Sequence, residues 1–260
     1  MKTQLFNRKM NFFYITFIAV CTILILLRRT EGFAENRYYT VKPPTYDGFG
    51  AQYHAIMSGI AYCKHEGLTY VHTPFQEIAH EGDTETLNKF IGIPAGNAQK
   101  NMIIEPHSEV VHWSERPSEY YTEDVIKSLR DSYYRTDKPD ITSPDIAIHI
   151  RRGDVNNGDA KRFTSNDTYK KLIDTLQVRY PDYSVTIYSE GKEADFSEIA
   201  SDNMQFRLNE NLTDTFHGLV TAKVLVTAKS SLSYTAAILN ENTVYYQDFW
   251  HKPLDHWNRF

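Results

Sequence analysis

The sequence has few cysteines and lacks the short motifs that mark common metal and nucleophile sites. Its two cysteines are Cys21 and Cys63, and Cys21 lies in an apolar segment, so the rest of the chain has no second thiol for an internal disulfide. This excludes a small disulfide-stapled fold and a cysteine-based zinc site. The 260 residues contain no Asp-x-Asp run, no His-Glu-x-x-His motif and no Gly-x-Ser-x-Gly turn. We therefore expect no metal and no other cofactor.

The sequence also lacks a basic excess. Its 28 Lys and Arg residues against 33 Asp and Glu residues give a net charge of −5. Residues 1–30 hold five basic residues and no acid, so residues 31–260 carry 23 basic against 33 acidic residues, about −10. An acidic body argues against nucleic acid as a partner, because a nucleic-acid protein needs a basic face. The composition, 41% hydrophobic and 13% aromatic, is typical of a globular protein.

The long apolar run Phe12–Leu27 has two basic residues on each side. Its sixteen residues would span about 24 Å as a helix, which is short for a hydrocarbon core of about 30 Å but workable when basic flanks reach the interface. We predict a cytoplasmic tail at 1–11, a transmembrane signal anchor at 12–29 and a stem at 30–45, in a single-pass type II arrangement with a lumenal body. A cleaved signal peptide is the alternative.

Beyond the stem, short β-branched runs alternate with amphipathic segments, which predicts an α/β fold with largely parallel sheets. The polar stretch 137–144 contains two prolines and predicts a domain boundary. We expect an N-terminal α/β domain over 46–140, a C-terminal domain over 141–250 and a tail at 251–260. The predicted strands are 68–71, 102–104, 146–150, 185–188, 224–227 and 244–246, and the predicted helices are 51–64, 167–180, 214–223 and 233–240.

Three polar segments adjoin these elements and are candidates for anion binding. His149 to Asp154 follow a strand, where ligands of open α/β sheets bind, and arginine donates paired hydrogen bonds to a diphosphate. Asp47 to Gln52 place two glycines before a helix, whose N-terminus attracts anions. The third segment, Thr227 to Asn240, brings Lys229 and three serines to the start of another helix, and we expect Lys229 to face the same diphosphate as Arg151 and Arg152. A surface Arg–Asp cluster, a bare turn and an ordinary N-cap are the structural alternatives.

Taken together, these segments resemble the GDP-fucose-dependent fucosyltransferases, the α1,2-, α1,6- and protein O-fucosyltransferases. His149-Ile-Arg151-Arg152-Gly-Asp154 is similar to their His-x-Arg-Arg-x-Asp motif, and Gly48-Phe49-Gly50-Ala51-Gln52 to their glycine-rich loop. The Ser230–Asn240 stretch resembles their C-terminal serine-rich motif, and Val185–Glu190 their strand ending in Ser-Asp/Glu. The four segments occur in the same order as in the family and together span roughly residues 46–250. Ala51 and Leu232 stand where the family usually has Asn and an aromatic residue.

The resemblance implies a GT-B-like fold of two facing Rossmann-like domains and an inverting, metal-independent transfer of fucose from GDP-fucose to a glycan acceptor. It implies that Arg151 binds the β-phosphate and that Arg152 braces the motif or assists. Asp159 resembles the catalytic carboxylate of the α1,6-type enzymes, and His54 is a second candidate for the general base. The remaining donor-binding residues that it implies are Gly48, Phe49, Gly50, Gln52, His149, Asp154, Ser230, Ser231 and Ser233.

Two alternatives to fucosyl transfer stay open from the sequence. Arginines that bind phosphate do not select the sugar, so the donor can be another nucleotide sugar. A non-catalytic, membrane-tethered glycan-binding or adhesion protein is the other alternative. The Arg152-Gly153-Asp154 tripeptide does not favour adhesion, because it directly follows a predicted buried strand and adhesion needs an exposed loop tip. For a glycosyltransferase we expect a Golgi or secretory-pathway location, with contact to the membrane through residues 12–29.

Overall fold

The computed structural model describes residues 37–79 and 83–260. Within these residues the protein has nine β-strands and seven α-helices, and all the strand pairs are parallel. This confirms the predicted α/β class with parallel sheets.

The predicted tail, anchor and first part of the stem fall on residues 1–36, which lie outside the described residues. Among residues 37–79 and 83–260, no helix has both the length and the apolar character needed to cross a membrane.

The N-terminal half, residues 38–133, contains a small sheet with strand order β2-β1-β3. Asp83 caps α2 through its carboxylate, and glycines in the left-handed conformation end both α1 and α2. In chain order its elements are β1 (Tyr38–Val41), α1 (Phe49–Glu66), β2 (Thr69–Tyr70), α2 (Thr84–Ile91), β3 (Ile103–Glu105), α3 (Glu109–His112) and α4 (Glu123–Tyr133).

The C-terminal half, residues 146–260, contains a six-stranded sheet with strand order β6-β5-β4-β7-β8-β9. Renumbered from its own first strand, this order is 3-2-1-4-5-6, that of the dinucleotide-binding doubly wound folds. In chain order its elements are β4 (Ile146–Ile150), α5 (Asn166–Arg179), β5 (Val185–Ser189), β6 (Met204–Leu208), α6 (Leu212–Thr221), β7 (Val224–Val226), α7 (Ser231–Leu239), β8 (Thr243–Tyr246) and β9 (Asn258–Arg259).

The start of the first sheet differs from the sequence prediction. Residues 38–41 were expected within the stem, but they form β1, the middle strand, with Tyr39, Thr40 and Val41 all buried. The run Tyr38–Val41 contains only residues that favour strands, but it is four residues long and is closely followed by Pro43 and Pro44, so the polar, proline-containing context led to its assignment to the stem. Its burial comes from the strands on both sides and from α1, which are distant in sequence.

One apolar core extends through both halves. It includes Phe49 and Tyr53 from α1, Phe90 from α2 and Phe216 from α6. The rings of Phe49 and Phe216 meet edge to face with centroids 5.3 Å apart, a geometry that aromatic pairs favour. A second apolar cluster lies between α5 and the large sheet. The two sheets are therefore joined through packed side chains as well as by the chain between them.

Helices α1 and α7 approach each other at their N-termini. A Cβ atom built on Gly50 would lie 2.3 Å from the backbone nitrogen of Leu232 and 2.5 Å from its Cα. Real Cβ atoms do not come that close to backbone, so this crossing requires a glycine at position 50. Gly48, two residues earlier, has room, since its nearest neighbour would be the Ala79 carbonyl at 3.8 Å.

We predict that Gly50→Ala destabilises the fold and that Gly48→Ala has a much smaller effect. Forcing an extra methyl against backbone costs about 1–3 kcal/mol, whereas Gly48 loses only the modest preference for glycine over alanine at an N-cap. Urea denaturation of both variants measures the free energy of unfolding. Equal losses in the two variants would contradict the close approach.

Candidate functional site

A cavity lies where the strand order of the large sheet reverses, between β4 and β7. Its volume is about 880 Å³, within the range of about 300–1,000 Å³ typical of ligand pockets. The carboxyl end of β4 contributes His149 and Ile150, and the loop after β7 contributes Ser230. In open α/β sheets ligands bind at this switch point.

Both halves of the protein line the cavity. Polar and charged side chains face it from four strand ends and from the turn before α1. Its lining comprises Tyr46, Asp47, Gly48, Phe49, Gly50, Ala51, Ala79, His149, Ile150, Arg151, Arg152, Asp154, Arg162, Ser189, Glu190, Asn209, Glu210, Leu212, Thr215, Ser230, Ser231, Leu232 and Trp250.

Arg151 is the best-placed group for a phosphate. Its Nε and Nη2 donate to the two carboxylate oxygens of Asp154 at 3.2 and 2.7 Å, and its side chain is largely buried. This forked pair fixes the guanidinium plane. Among the described residues Nη1 has no protein partner, so it is available to an anion in the cavity. Asp154 also accepts from Arg162 at 3.3 Å.

Arg152 has a different role from Arg151. Its Nη1 donates to the Arg151 carbonyl at 2.8 Å, and its Nη2 donates to the carbonyl of Thr164 at 3.0 Å and to Asn166 Oδ1 at 2.7 Å. The guanidinium also lies 4.5 Å from the ring centre of Phe163, within cation–π range. These contacts brace the loop after β4, while part of the side chain still reaches the cavity wall.

Two helix N-termini point into the same cavity. The first residues of α1 and α7 line it, and Gly48 caps α1 without a side-chain hydrogen bond. The first N–H groups of a helix have no intrahelical partner and carry partial positive charge, so they attract anions. Ser230 caps α7, its Oγ accepting from the Leu232 N–H at 3.3 Å.

Two predicted donor-binding residues, Gln52 and Ser233, stabilise these turns through hydrogen bonds outside the cavity. Gln52 Nε2 donates to the carbonyls of Asp47 and Glu77 at 2.7 and 2.8 Å, which fixes the glycine turn. Ser233 is fully buried, and its Oγ accepts from the Ala228 N–H at 3.0 Å. Neither lines the cavity. Both residues lie in the predicted binding motifs, but sequence position does not distinguish a residue that contacts the ligand from one that stabilises the turn.

The structure does not bring two other expected groups to the cavity. Asp159 lies outside its lining, and its carboxylate accepts from Arg162 Nε at 2.6 Å. That hydrogen bond lowers the pKa of Asp159, the opposite of what a general base needs. Lys229, expected to face a diphosphate, instead has its Nζ 3.4 Å from the carbonyls of Ala160 and Phe163.

Asp47 is a cavity carboxylate that the sequence argument did not single out. It is half-buried in the turn before α1, and burial raises the pKa of its carboxyl while the nearby His107 opposes that shift. Its side chain makes no hydrogen bond or ion pair to the described residues. A raised pKa in a cleft marks a candidate proton acceptor. Its place directly before the glycine turn was the available signal.

His149 lies on β4 behind the arginine loop. It is buried, and its Nδ1 has no hydrogen-bond partner among the described residues. Burial, together with the charge of Arg151, lowers the pKa of His149 to about 3. The ring is therefore neutral at pH 7 and adds no charge to the cavity.

Three other buried histidines meet next to the cavity. His54 of α1, His112 at the end of α3 and His251 after β8 each offer a ring nitrogen, and these nitrogens lie within 4.8 Å of one another. Both nitrogens of His54 and Nδ1 of His112 lack a hydrogen-bond partner among the described residues. Each such buried, unpaired group costs about 1–3 kcal/mol.

Burial lowers the pKa of all three histidines. The pKa of His54 falls well below its usual range, that of His112 falls to about 2 and that of His251 to about 3. His54 is wholly buried, so it has no access to an acceptor in the cavity, contrary to its candidacy as a base. The three positions are far apart in the chain, and no local motif connects them.

Comparison with known proteins gives likenesses of fold only. No protein-family model matches the sequence, and no curated protein matches it. E. coli heptosyltransferase WaaC, solved with ADP-2-deoxy-2-fluoro heptose, is 10% identical with a TM-score of 0.42, covering 86% of this chain and 92% of that one. POFUT1 in complex with GDP is 12% identical with a TM-score of 0.43, covering 80% of this chain and 95% of that one.

A variant of Arabidopsis thaliana FUT1 in complex with GDP is 11% identical with a TM-score of 0.43, and the match covers 89% of this chain and 74% of that chain.

We predict that His149 makes the protein less stable in mild acid. Its folded pKa of about 3 lies below the unfolded value of about 6.5. Between these values the unfolded state binds the extra proton, so stability falls as the pH drops from 6.5 towards 3, by up to about 1.4 kcal/mol per pH unit.

His149→Gln should reduce the dependence of the free energy of unfolding on pH by the contribution of one proton. Urea denaturation at pH 4.5, 5.5, 6.5 and 7.5 measures this dependence. His65→Gln, which makes the same substitution at an exposed histidine near the end of α1, is the matched control. A His149→Gln profile parallel to that of the wild type would refute the assignment.

Proposed function

We propose that this protein is a glycosyltransferase that binds a nucleotide diphosphate sugar, with GDP-fucose as the donor and a glycan as the acceptor. The observation that carries the proposal is the convergence of three anion-binding features on one cavity: the arginine loop after β4 and the N-termini of α1 and α7. The cavity lies at the switch point of a sheet with the dinucleotide-binding strand order.

The donor's diphosphate would lie in the cavity over the N-termini of α1 and α7, which contact each other at Gly50 and Leu232. Backbone N–H groups at the start of each helix donate to phosphate oxygens, and the glycines at 48 and 50 let the backbone come close. Arg151 Nη1 completes the set with a permanent positive charge. The choice of fucose follows from the resemblance of these segments to the GDP-fucose-dependent fucosyltransferases, since phosphate contacts alone do not select the sugar.

In the transfer step, an acceptor hydroxyl oxygen attacks the anomeric carbon of the sugar from the side opposite the diphosphate. A C–O bond forms as the bond to the β-phosphate oxygen breaks, so the configuration inverts and the electron pair leaves with GDP. Arg151 stabilises the charge that grows on the leaving oxygen. We propose that the Arg151 guanidinium neutralises the charge of the leaving diphosphate in place of a metal ion, so that the transfer needs no metal.

We assign the proton of the acceptor hydroxyl to Asp47 instead of Asp159. Asp47 lines the cavity and its pKa is raised, whereas Asp159 lies outside the cavity with its pKa lowered. A base with a pKa closer to neutral accepts a proton more effectively in the transition state. Asp47 also lies on the N-terminal half, opposite the arginine loop that holds the leaving group.

For the cell, we propose a type II protein of the Golgi or secretory pathway with a lumenal body. This part rests on the apolar run 12–29 and its basic flanks. Glycan acceptors of the secretory pathway are found on the lumenal side, so the orientation and the activity are compatible.

Arg151→Ala should weaken GDP binding and lower transfer by about 10²–10³-fold, the effect of losing one donor to a developing negative charge. Binding is measured as thermal stabilisation of the full chain by GDP, and transfer as release of GDP from GDP-fucose with a glycan acceptor mixture. Arg116→Ala is the matched control, because Arg116 is exposed, forms an ion pair with Glu119 and is not part of the cavity lining.

Stabilisation by GDP that survives Arg151→Ala would overturn the phosphate role. A response to another nucleotide sugar but not to GDP would point to a different donor. No response of the wild type to any nucleotide would favour the non-catalytic glycan-binding alternative.

Asp47→Asn should lower kcat/KM by about 10²–10⁴-fold, the usual contribution of a positioned base, with little change in GDP binding. The wild-type rate should fall as the pH drops below the pKa of Asp47, because the carboxyl then carries its proton, and the variant should lose this acid limb. Asp174→Asn, at an exposed residue of α5, is the control. A variant with full activity and an unchanged pH profile would exclude Asp47 as the base.

A further inference from the structure

The histidine cluster of His54, His112 and His251 joins three segments that are far apart in sequence. His54 comes from the middle of α1, His112 from the end of α3, and His251 from the loop between β8 and β9. The ring centroids are 4.4 Å apart for His54 and His112, 4.2 Å for His54 and His251, and 4.9 Å for His112 and His251. All three side chains are buried.

The cluster leaves polar atoms unpaired in the protein interior. Buried polar groups nearly always have hydrogen-bond partners, and those that do not call for an explanation such as an ion. His54 is wholly buried, and neither of its nitrogens has a partner among the described residues. The imidazoles of His112 and His251 lie beside His54. A metal ion shared by the three rings would therefore explain the unpaired nitrogens of His54.

The orientation of His251 is that of a metal ligand. Its Nδ1 lies 3.2 Å from the carbonyl oxygen of His112 and donates to it. This bond places the proton on Nδ1 and leaves a lone pair on Nε2. Histidines that bind metals usually donate their second nitrogen to a carbonyl or carboxylate in this way. With that tautomer Nε2 accepts from Ser231 Oγ at 3.2 Å, so an ion bound at Nε2 would displace this hydroxyl.

We propose that His54, His112 and His251 bind one divalent transition-metal ion of the class that prefers imidazole, such as Zn²⁺. Three neutral imidazoles and a water form a ligand set that Zn²⁺ takes. Tetrahedral ligands at about 2.0–2.1 Å from the ion lie about 3.4 Å from one another. The ring nitrogens lie within 4.8 Å of one another, so they would have to approach by at most about 1.4 Å to reach that spacing.

The ion would tie α1 and α3 of the N-terminal half to the loop that follows β8. It would also lie one residue from the cavity wall, since Ser231 contacts His251 and lines the cavity. The metal would hold these segments together. The proposed transfer step uses no metal, so the two proposals can be tested separately.

The test uses the full chain, purified, stripped with a chelator and reconstituted with Zn²⁺. We expect one zinc per chain by elemental analysis after gel filtration, and a higher melting temperature with Zn²⁺ than without it. X-ray absorption at the zinc edge should report imidazole nitrogens at about 2.0–2.1 Å. A chain that retains no zinc, or a zinc ion with no histidine ligands, would overturn the proposal.

His112→Asn is the first variant, because His112 lies nearest the surface of the three. It should weaken Zn²⁺ binding by more than about 100-fold, since loss of even an outer-shell partner costs about 10–100-fold. His251→Gln should act in the same way from a different segment.

His72→Asn is the matched control. His72 is also a buried histidine with both nitrogens unpaired among the described residues, and it is not part of the cluster. This control should bind zinc like the wild type. Equal zinc affinity in His112→Asn and the wild type would refute the site, and the absorption spectrum of the wild type decides the matter if the variants do not fold.

Discussion

The arrangement of this protein depends on one backbone contact, between Gly50 at the start of α1 and Leu232 at the start of α7. Because no side chain separates the two helices, their N-termini come together over a single cavity. Each N-terminus alone is a weak anion site, but two that converge add their partial charges and free N–H groups. The contact also sets the distance between the halves, so the glycine turn and the arginine loop face each other.

The local parts of this site could be predicted from the sequence. Ile146–Ile150 alternates in a way that predicts a strand, and the polar residues after it then have to lie at the carboxyl end of a sheet. The same holds for Ser230 and Ser231 at the start of α7. Strand order is a non-local property, but the alternation of strands and helices restricts it enough to place both segments at one edge.

The parts that depend on distant contacts could not be predicted. Tyr38–Val41 is a short run of strand-favouring residues next to two prolines, and its place as the central strand depends on neighbours in the sheet. The pairing of Asp159 with Arg162, which withdraws that carboxylate from the cavity, depends on how a turn closes. Histidines at 54, 112 and 251 become neighbours only through tertiary packing. A motif specifies which residue types are near each other in sequence, and these features depend on neighbours in space.

The shared aromatic core has a consequence for motion. Phe49 packs against Phe216 of the opposite half, and Tyr133 Oη lies 2.9 Å from His217 Nδ1 in the same region. Rotating the halves apart like a hinge would expose these rings to water, at a cost that grows with the apolar area uncovered. We therefore expect ligands to enter and leave through small loop displacements, on a timescale faster than that of domain opening.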